Sequence, residues 1–324
     1  MRISLFLPHV GVFGGVRRFL ELGNSWRALG HEVTLFHPGG EPPAWLPFSG
    51  VTAALERAPD QVVDLALCAD PHTFATFAAQ RAGVHLYYCV IEGDPGVARA
   101  HSRPDIRLAA NSGPLRRRLQ ERTPHPVLDG AGGINVRQFH PGPARPANGP
   151  LCILLNGRRS RPKKGTDLVL RALAPLEGRV PPFEIVLFDS LGPQNRQDPT
   201  EGLPRGLRAR YVLDPSQAEL VGLYQSAHLF VAAERKAGWC NTALEAMACG
   251  AAVVCTRSGT SDFARDGQNA LVARWRAPFA LRPPITRLLR DGALRERLAA
   301  AGPSTATAWT WEMLAAKLLA QLGR

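Results

Sequence analysis

Short runs rich in Val, Ile, Leu and aromatic residues recur along the chain. Each is followed by a longer stretch whose apolar positions fall three to four residues apart. RISLFLP gives way to a helical pattern over 16–29, then to HEVTLF and VVDLALC. A helix is expected over 73–81, followed by VHLYYCVI, IRLAA and a helix over 114–122. Strand-length runs alternating with helix-length patterns predict βαβ units, and hence a parallel sheet covered by helices on both faces. The pattern breaks at FHPGPARPANGP, 139–150, whose Pro, Gly and Asn content reads as a linker. It then restarts with LCILLN, a helix over 166–174, FEIVLF, RARYVL, a helix over 216–226, HLFVAA, a short helix around Glu245, AAVVCT and NALVA. An α/β fold of two doubly wound domains follows, 1–140 and 151–305. The closing segment, 306–324, predicts an amphipathic helix with Trp309, Met313, Leu314 and Leu318 on one stripe, packed on its own domain or crossing back to the first.

Length and composition fit this division. A chain of 324 residues suits two domains of about 100–200 residues each, and 45% apolar content is enough for ordinary cores. No stretch approaches the roughly 20 apolar residues of a membrane helix. MRISLFLPHV is short and has no small-residue cleavage site, so it reads as a first strand rather than a signal peptide. The six cysteines (Cys68, Cys89, Cys152, Cys240, Cys249, Cys255) form no CxxC pair and lie mostly in apolar runs, which suits free thiols in a reducing cytoplasm. Net charge is +12, with Arg dominating the 39 basic residues. Such a balance suits an anionic partner, whether nucleic acid, a membrane surface or a phosphorylated small molecule. A general preference for Arg accounts for part of it. No basic block is long enough to be a nucleic-acid tail, and no element interleaves basic and aromatic residues.

Four stretches carry candidate chemistry. In NGRRSRPKKG, 156–165, a strand ends, Gly157 turns the chain, and Arg158 and Lys164 flank the start of the next helix. Two cations at a helix N-terminus can clamp a diphosphate, because charge-assisted bonds and the helix dipole add. A solvated basic loop is the plainer alternative. In HLFVAAERKAGWCNTALEAMACG, Gly238 permits close approach, Asn241 or Thr242 can cap the helix, and free N–H groups of its first turn can face an anion. Glu245 sits among Leu244, Ala246 and Met247, so a buried acid needs a partner there. A ribose diol would serve, and so would the helix dipole. In HVGVFGGVRRFLEL, Gly14 and Gly15 link a first strand to a first helix without the Walker or GxGxxG spacing. In YYCVIEGDPG, Glu92 and Asp94 follow a strand and either face a cleft or form a surface turn. The histidines show no metal-ligand spacing, and no GxSxG elbow is present.

These stretches together resemble the GT-B-fold glycosyltransferases commonly called family 4. GGVRRFLELGNSWRALGHEVTLF is similar to the family's opening Gly-Gly, helix and GHEVT strand. ANSGPLRRRL with GGINVRQFHP is similar to its segment before the linker. NGRRSRPKKGTDLVLRAL and AGWCNTALEAMACGAAVVCTRSGTSDFARDGQNALV are similar to its two donor motifs. The resemblance spans most of the chain. It implies two Rossmann-like domains facing each other across a cleft, and a nucleotide-diphosphate sugar held mainly by the second. Arg158 and Lys164 would neutralise the diphosphate and Glu245 would bind the ribose. Backbone groups around Gly238, Trp239, Cys240, Asn241 and Thr242 would hold sugar and phosphate, with Gly14, Gly15 and Gly157 at the loop turns. Retention of anomeric configuration, with no metal and no further cofactor, belongs to the same pattern. The sequence departs from it twice. Ala237 stands where the first of two acids belongs, the one the resemblance puts on donor-sugar hydroxyls, and Glu234, three residues earlier at the strand end, is the donor-binding candidate to compensate for it. CVIEGD replaces a segment that usually carries His, which makes Glu92 a candidate for a related catalytic role.

The expected function is therefore transfer of a sugar to a glycan or lipid-linked acceptor in cell-envelope or polysaccharide assembly. The expected place is the cytoplasm, including the inner face of an anionic membrane, and no nucleic-acid partner is expected. The alternative is a degenerate member that binds nucleotide or glycan without transfer, for which Ala237 speaks and Arg158, Lys164 and Glu245 speak against.

Overall fold

A computed structural model describes residues 1–91, 93–145, 148–190 and 198–323. The apolar runs form two sheets. The first contains β1 (Arg2–Phe6), β2 (Glu32–His37), β3 (Val51–Ala54), β4 (Val62–Cys68), β5 (Arg81–Cys89), β6 (Ile106–Ala110) and β7 (Val127–Asp129), in the order β3-β2-β1-β4-β5-β6-β7. The second contains β8 (Leu151–Asn156), β9 (Phe183–Asp189), β10 (Ala209–Leu213), β11 (Leu229–Ala232), β12 (Ala252–Cys255) and β13 (Leu271–Val272), in the order β10-β9-β8-β11-β12-β13. Every strand pair described is parallel, as right-handed βαβ crossovers require. In each sheet the chain winds outward one way and then returns to wind the other. A switch point lies between β1 and β4 in the first and between β8 and β11 in the second, and in such sheets ligands bind outside the carboxyl ends at that point.

The helices are α1 (Gly14–Ala28), α2 (Phe74–Ala79), α3 (Pro95–His101), α4 (Gly113–Gln120), α5 (Thr166–Leu173), α6 (Gln217–Ser226), α7 (Asn241–Ala248), α8 (Pro278–Arg290), α9 (Gly292–Thr307) and α10 (Trp311–Gln321). Two of them, α8 and α9, carry no clean sequence signal, because Pro283, Pro284 and Pro303 lie inside them. An interior proline costs a helix roughly 3 kcal/mol. Burial of Leu281, Ile285, Leu288 and Leu289 along α8 offsets that, at about 1.5–3 kcal/mol for each fully buried side chain. The helix expected over 73–81 ends earlier, because Arg81 already pairs with Val62 at the start of β5.

The chain divides into two units, Met1–Gly133 with Trp309–Arg324, and Ile134–Ala308. The first unit thus ends at 133 rather than 140. The Pro/Gly-rich stretch is not a free linker where it is described. Phe139 packs its ring 5.9 Å from Tyr224, and Arg145 Nη2 donates to the Cys249 carbonyl at 3.3 Å, both within the second unit.

The last helix is part of the first unit, and its buried stripe differs from the expected one. Trp311, Leu314, Ala315, Leu318 and Leu319 are buried, whereas Met313 is 54% exposed and Trp309 precedes the helix. Trp26 Nε1 donates to the Ala315 carbonyl at 3.2 Å. Arg18, itself buried, lies over the rings of Tyr88 and Trp311 and donates to Tyr88 Oη and the Gly132 carbonyl, both at 2.8 Å. All six cysteines are free and buried. Among the described residues, no helix is long and apolar enough to cross a membrane.

Candidate functional site

At the carboxyl ends of β8 and β11 the second unit brings two loops together. The first leaves β8 at Asn156, passes Arg158, makes a single 3₁₀ turn over Pro162–Lys164 and enters α5. Its left-handed residue is Gly165, at φ 79°, and a side chain there would overlap the Ala233 carbonyl. Thr166 Oγ1 donates to the Asn156 carbonyl at 2.8 Å, closing the loop on itself. The second loop leaves β11 and runs through Glu234 to α7. It is joined to the first by the Arg235 N–H, which donates to the Lys163 carbonyl at 2.8 Å. Arg276 spans both, with Nε donating to the Ala233 carbonyl at 2.6 Å and Nη2 to the Pro162 carbonyl.

Arg158 and Lys164 both reach this site, and each meets a carboxylate there. Arg158 forms a fork with Asp189 at the end of β9, Nη2 to Oδ1 at 2.5 Å and Nε to Oδ2 at 3.1 Å, and Nη2 also donates to Ser190 Oγ at 3.1 Å. Lys164 Nζ lies 2.8 Å from Glu234 Oε1. Burial disfavours the Lys164 charge, but the Glu234 carboxylate outweighs it and holds the ammonium above its ordinary pKa. Cys240 Sγ lies 3.8 Å from the same Glu234 oxygen, and burial pushes that thiol far up. A small space of about 10 Å³ is lined by Asn156, Lys164, Thr166, Glu234 and Thr242, among others. A separate, larger cavity of about 410 Å³ is lined by Gly157, Arg158, Arg159, Asp189 and Tyr211, among others.

The helix of the second loop starts differently from the expectation. Its N-cap is Cys240, with no side-chain cap, so neither Asn241 nor Thr242 caps it. Asn241 Oδ1 is buried and bonds to no described residue, while Thr242 Oγ1 lies 3.5 Å from Cys240 Sγ. The Cys240 thiol meets the Ala243 N–H only as a weak acceptor, and the N–H groups of the two residues before it have no partner within the helix and suit an anion. The left-handed turn in this loop falls on Lys236, at φ 59°, not on Gly238, which is buried. The loop is fixed instead by a second turn, in which the Ala237 N–H donates to Ser258 Oγ at 2.9 Å and the Cys240 N–H to the Gly259 carbonyl at 2.8 Å. Trp239 packs on Phe263 with ring centroids 5.1 Å apart.

Glu245 lies one turn into α7 and is buried. Its Oε2 accepts from Tyr224 Oη at 2.9 Å, so a described side chain already supplies one partner that the sequence left open. Burial, then the Glu245 charge, drive the Tyr224 pKa well above its ordinary value, which keeps the phenol a donor. Sequence reasoning did not find Tyr224 or Asp189. An acid closing the apolar run FEIVLFD, at the carboxyl end of a buried strand, was the available signal for Asp189.

In the first unit, Gly14 and Gly15 form the exposed start of α1, again without a side-chain cap. Glu92 lies outside the described residues. Asp94 is a structural cap, accepting from the Gly96 N–H at 2.8 Å and from Tyr87 Oη at 2.9 Å.

Residues 150–291 match the family model described as Glycosyl transferases group 1. Named relatives include the D-inositol 3-phosphate glycosyltransferase of Corynebacterium urealyticum, 28% identical over 205 residues, covering 58% of this chain and 48% of that protein. The enzyme of the same name from Mycobacterium leprae is 32% identical over 149 residues, 42% of this chain and 34% of its own. The matched region thus spans about half the length of the first of these relatives and less of the second. Two solved structures share the fold over the whole chain. Sucrose-phosphate synthase from Thermosynechococcus elongatus is 18% identical with TM-score 0.79, covering 100% of this chain and 98% of that one. Anabaena Alr3699/HepE in complex with UDP-glucose is 15% identical with TM-score 0.76, covering 100% and 99%. The family match is thus seated in the unit that holds Arg158, Lys164 and Glu245, and with both Rossmann-like sheets matched end to end by solved structures, this chain has the GT-B fold and carries in its second unit a region similar to the glycosyl transferases group 1.

Proposed function

We propose that the chain transfers a sugar from a nucleotide-diphosphate sugar to a glycan or lipid-linked acceptor, with retention of anomeric configuration. The observation that carries this reading is the convergence of Arg158, Lys164 and the start of α7 at the switch point of the second sheet. In this reading the diphosphate takes Lys164 and the free edge of the Arg158 guanidinium, whose other edge Asp189 fixes. The nucleoside takes the 410 Å³ cavity, a volume in the usual range for small-molecule sites, and Glu245 accepts from the ribose.

The bond from the anomeric carbon to the diphosphate oxygen breaks as the acceptor oxygen bonds to the same face. The acceptor's proton passes to the departing phosphate oxygen. Charge develops on the leaving diphosphate, so fixed cations and helix N–H groups lower the barrier by electrostatic stabilisation. They do so without a divalent ion. Holding donor and acceptor together supplies the rest.

The Anabaena neighbour is solved with UDP-glucose, which puts uridine nucleotides first in a screen. The names of the relatives point to a phosphorylated acceptor, which a chain of net charge +12 suits. The same charge suits a peripheral contact with an anionic membrane. The six buried thiols suit a reducing compartment. The test is a thermal-shift screen of UDP, GDP, ADP and their sugar conjugates, followed by donor hydrolysis with the binder. A ligand at about 100 times its Kd stabilises the fold by roughly 2.7 kcal/mol. Stabilisation by one nucleotide series with release of its diphosphate supports the reading. Absence of any shift across the panel contradicts it.

A further inference from the structure

Between Asp266 and Asp291 the chain carries five arginines and no acid. The middle of this stretch, ARWRAPF, interleaves arginine with aromatic residues in the turn from β13 into α8, against the expectation that no element does so. Trp275 is 56% exposed and Phe279 68%, the most exposed of the Trp and Phe side chains described. A single exposed apolar residue is ordinary, but two aromatic residues four positions apart make a patch. α8 turns Leu281, Ile285, Leu288 and Leu289 inward, and Phe279, Pro283 and Arg287, four residues apart, outward. Arg276 fixes where the patch stands, because its bonds to the Ala233 and Pro162 carbonyls tie the turn to both loops of the candidate site. Those loops expose Lys163, Arg235 and Lys236, and Arg274 is exposed beside Trp275, its guanidinium 5.2 Å from the ring centroid. Burial, then the nearby Arg235 charge, hold the Arg276 guanidinium below its ordinary pKa. None of the four exposed cations meets a carboxylate among the described residues. Neither cavity is lined by Trp275 or Phe279, so a small molecule in either does not account for them.

We propose that Trp275 and Phe279, flanked by Arg274, Lys163, Arg235 and Lys236, dock the second unit on an anionic lipid bilayer. The inference deepens the membrane contact read above from net charge alone, and it does not depend on the donor site. Aromatic rings suit the boundary between headgroups and acyl chains, and unpaired cations suit the negative surface above it. Either signal alone gives marginal, reversible binding, whereas the two together anchor. A nucleic acid would use the same cations, but its bases need open ring faces on which to stack. Arg274 already covers one face of Trp275, which a bilayer tolerates because it asks only for depth. The turn is tied to the loops that carry Lys164 and Glu234, so docking would set the candidate site at the bilayer surface, where a lipid-linked acceptor is presented.

The experiment is co-sedimentation with vesicles of phosphatidylcholine alone or with roughly 30% phosphatidylglycerol. The proteins, all as the full chain, are the wild type, Trp275→Ser/Phe279→Ser, Arg274→Gln/Arg235→Gln/Lys236→Gln and Trp275→Phe. The wild type should bind the anionic vesicles at least about tenfold more tightly than the neutral ones, and lose most of that binding between about 0.1 M and about 0.5 M NaCl. The serine and glutamine variants should each bind at least about fivefold more weakly. Trp275→Phe should bind within about twofold of the wild type, yet lose the part of the fluorescence that brominated acyl chains quench in the wild type. That variant serves if the serine pair fails to fold. Equal vesicle binding by the wild type and the serine pair overturns the assignment, and so does quenching that survives in Trp275→Phe. Tighter binding to a mixed-sequence RNA oligonucleotide than to vesicles, lost in the serine pair, overturns it in favour of nucleic acid. A wild-type dimer in sedimentation that the serine pair abolishes overturns it in favour of a second copy. A wild type that binds a nucleoside diphosphate by calorimetry but no vesicle overturns this assignment and leaves the donor-site reading standing.

Discussion

Gly165 and Ala233 approach so closely that a β-carbon on residue 165 would overlap the Ala233 carbonyl oxygen and lie 2.8 Å from the Ala233 Cβ. Residue 165 also has φ 79°, in the left-handed region. This contact sets the spacing of the two loops that carry Lys164 and Glu234. Gly165→Ala is expected to cost at least about 1–2 kcal/mol from the backbone conformation alone, with the overlap added. Urea unfolding of the variant checks it, and an unchanged midpoint would show that the loops separate without cost.

The Arg158–Asp189 fork is nearly shielded from water, with side-chain exposures of 11% and 4%. Removing one charge of such a pair leaves the other uncompensated, typically at 3–5 kcal/mol when fully buried. Asp189→Asn is therefore expected to lower the melting temperature. Because a bound diphosphate would supply the missing negative charge, the variant should gain more from the nucleotide than the wild type does. Equal nucleotide-induced shifts in the two proteins would separate Arg158 from the phosphate.

Tyr224→Phe removes the phenol that donates to Glu245 at 2.9 Å. Losing a donor to a buried carboxylate costs about 1–3 kcal/mol. Chemical denaturation should show a loss of that size, and Tyr224→Phe/Glu245→Gln together should lose less than the sum of the singles. Additive losses would show that the two side chains act independently.

These residues show what a single sequence makes legible. The alternation of apolar runs and helical patterns is local, so both parallel sheets and the places of Arg158, Lys164 and Glu245 were readable. The pairings were not, because the partners are distant in sequence. Glu234 is 70 positions from Lys164, Asp189 is 31 from Arg158, and Glu245 is 21 from Tyr224. The prolines of α8 hid a helix that burial of Leu281 and Ile285 stabilises. In α10 the stripe moved from Trp309 to Trp311 because Thr310 caps the helix, its side chain accepting from the Met313 N–H. The cap at Cys240 was missed for a similar reason. The side chains of Asn241 and Thr242 are good caps, but the turn held by Gly259 starts the helix at Asn241 itself.

His228 gives the fold a dependence on pH. Its Nδ1 accepts from the Cys152 N–H at 3.0 Å, joining the start of β11 to β8. Burial, and then the nearby Arg145 and Arg295 charges, lower its pKa below the ordinary value of about 6.5. Above that value the imidazole is neutral in both folded and unfolded chains and contributes no slope. As pH falls below it, the unfolded chain takes up a proton that the folded one resists, so stability declines until the folded pKa is passed. Unfolding free energies measured from pH 7.5 down to pH 5 should fall, and His228→Asn should flatten that slope. The same slope in the variant would assign it to other groups.

The central claim is that Arg158 and Lys164 hold a donor diphosphate, and calorimetric titration tests it most directly. UDP, GDP and ADP are titrated into the wild type, Arg158→Ala and Lys164→Ala. Charge-assisted bonds of this kind contribute about 1.5–3 kcal/mol, so each variant should bind the preferred nucleotide roughly tenfold to a hundredfold more weakly while remaining folded. Unchanged affinity in both folded variants, for a nucleotide that the wild type binds, would contradict the account.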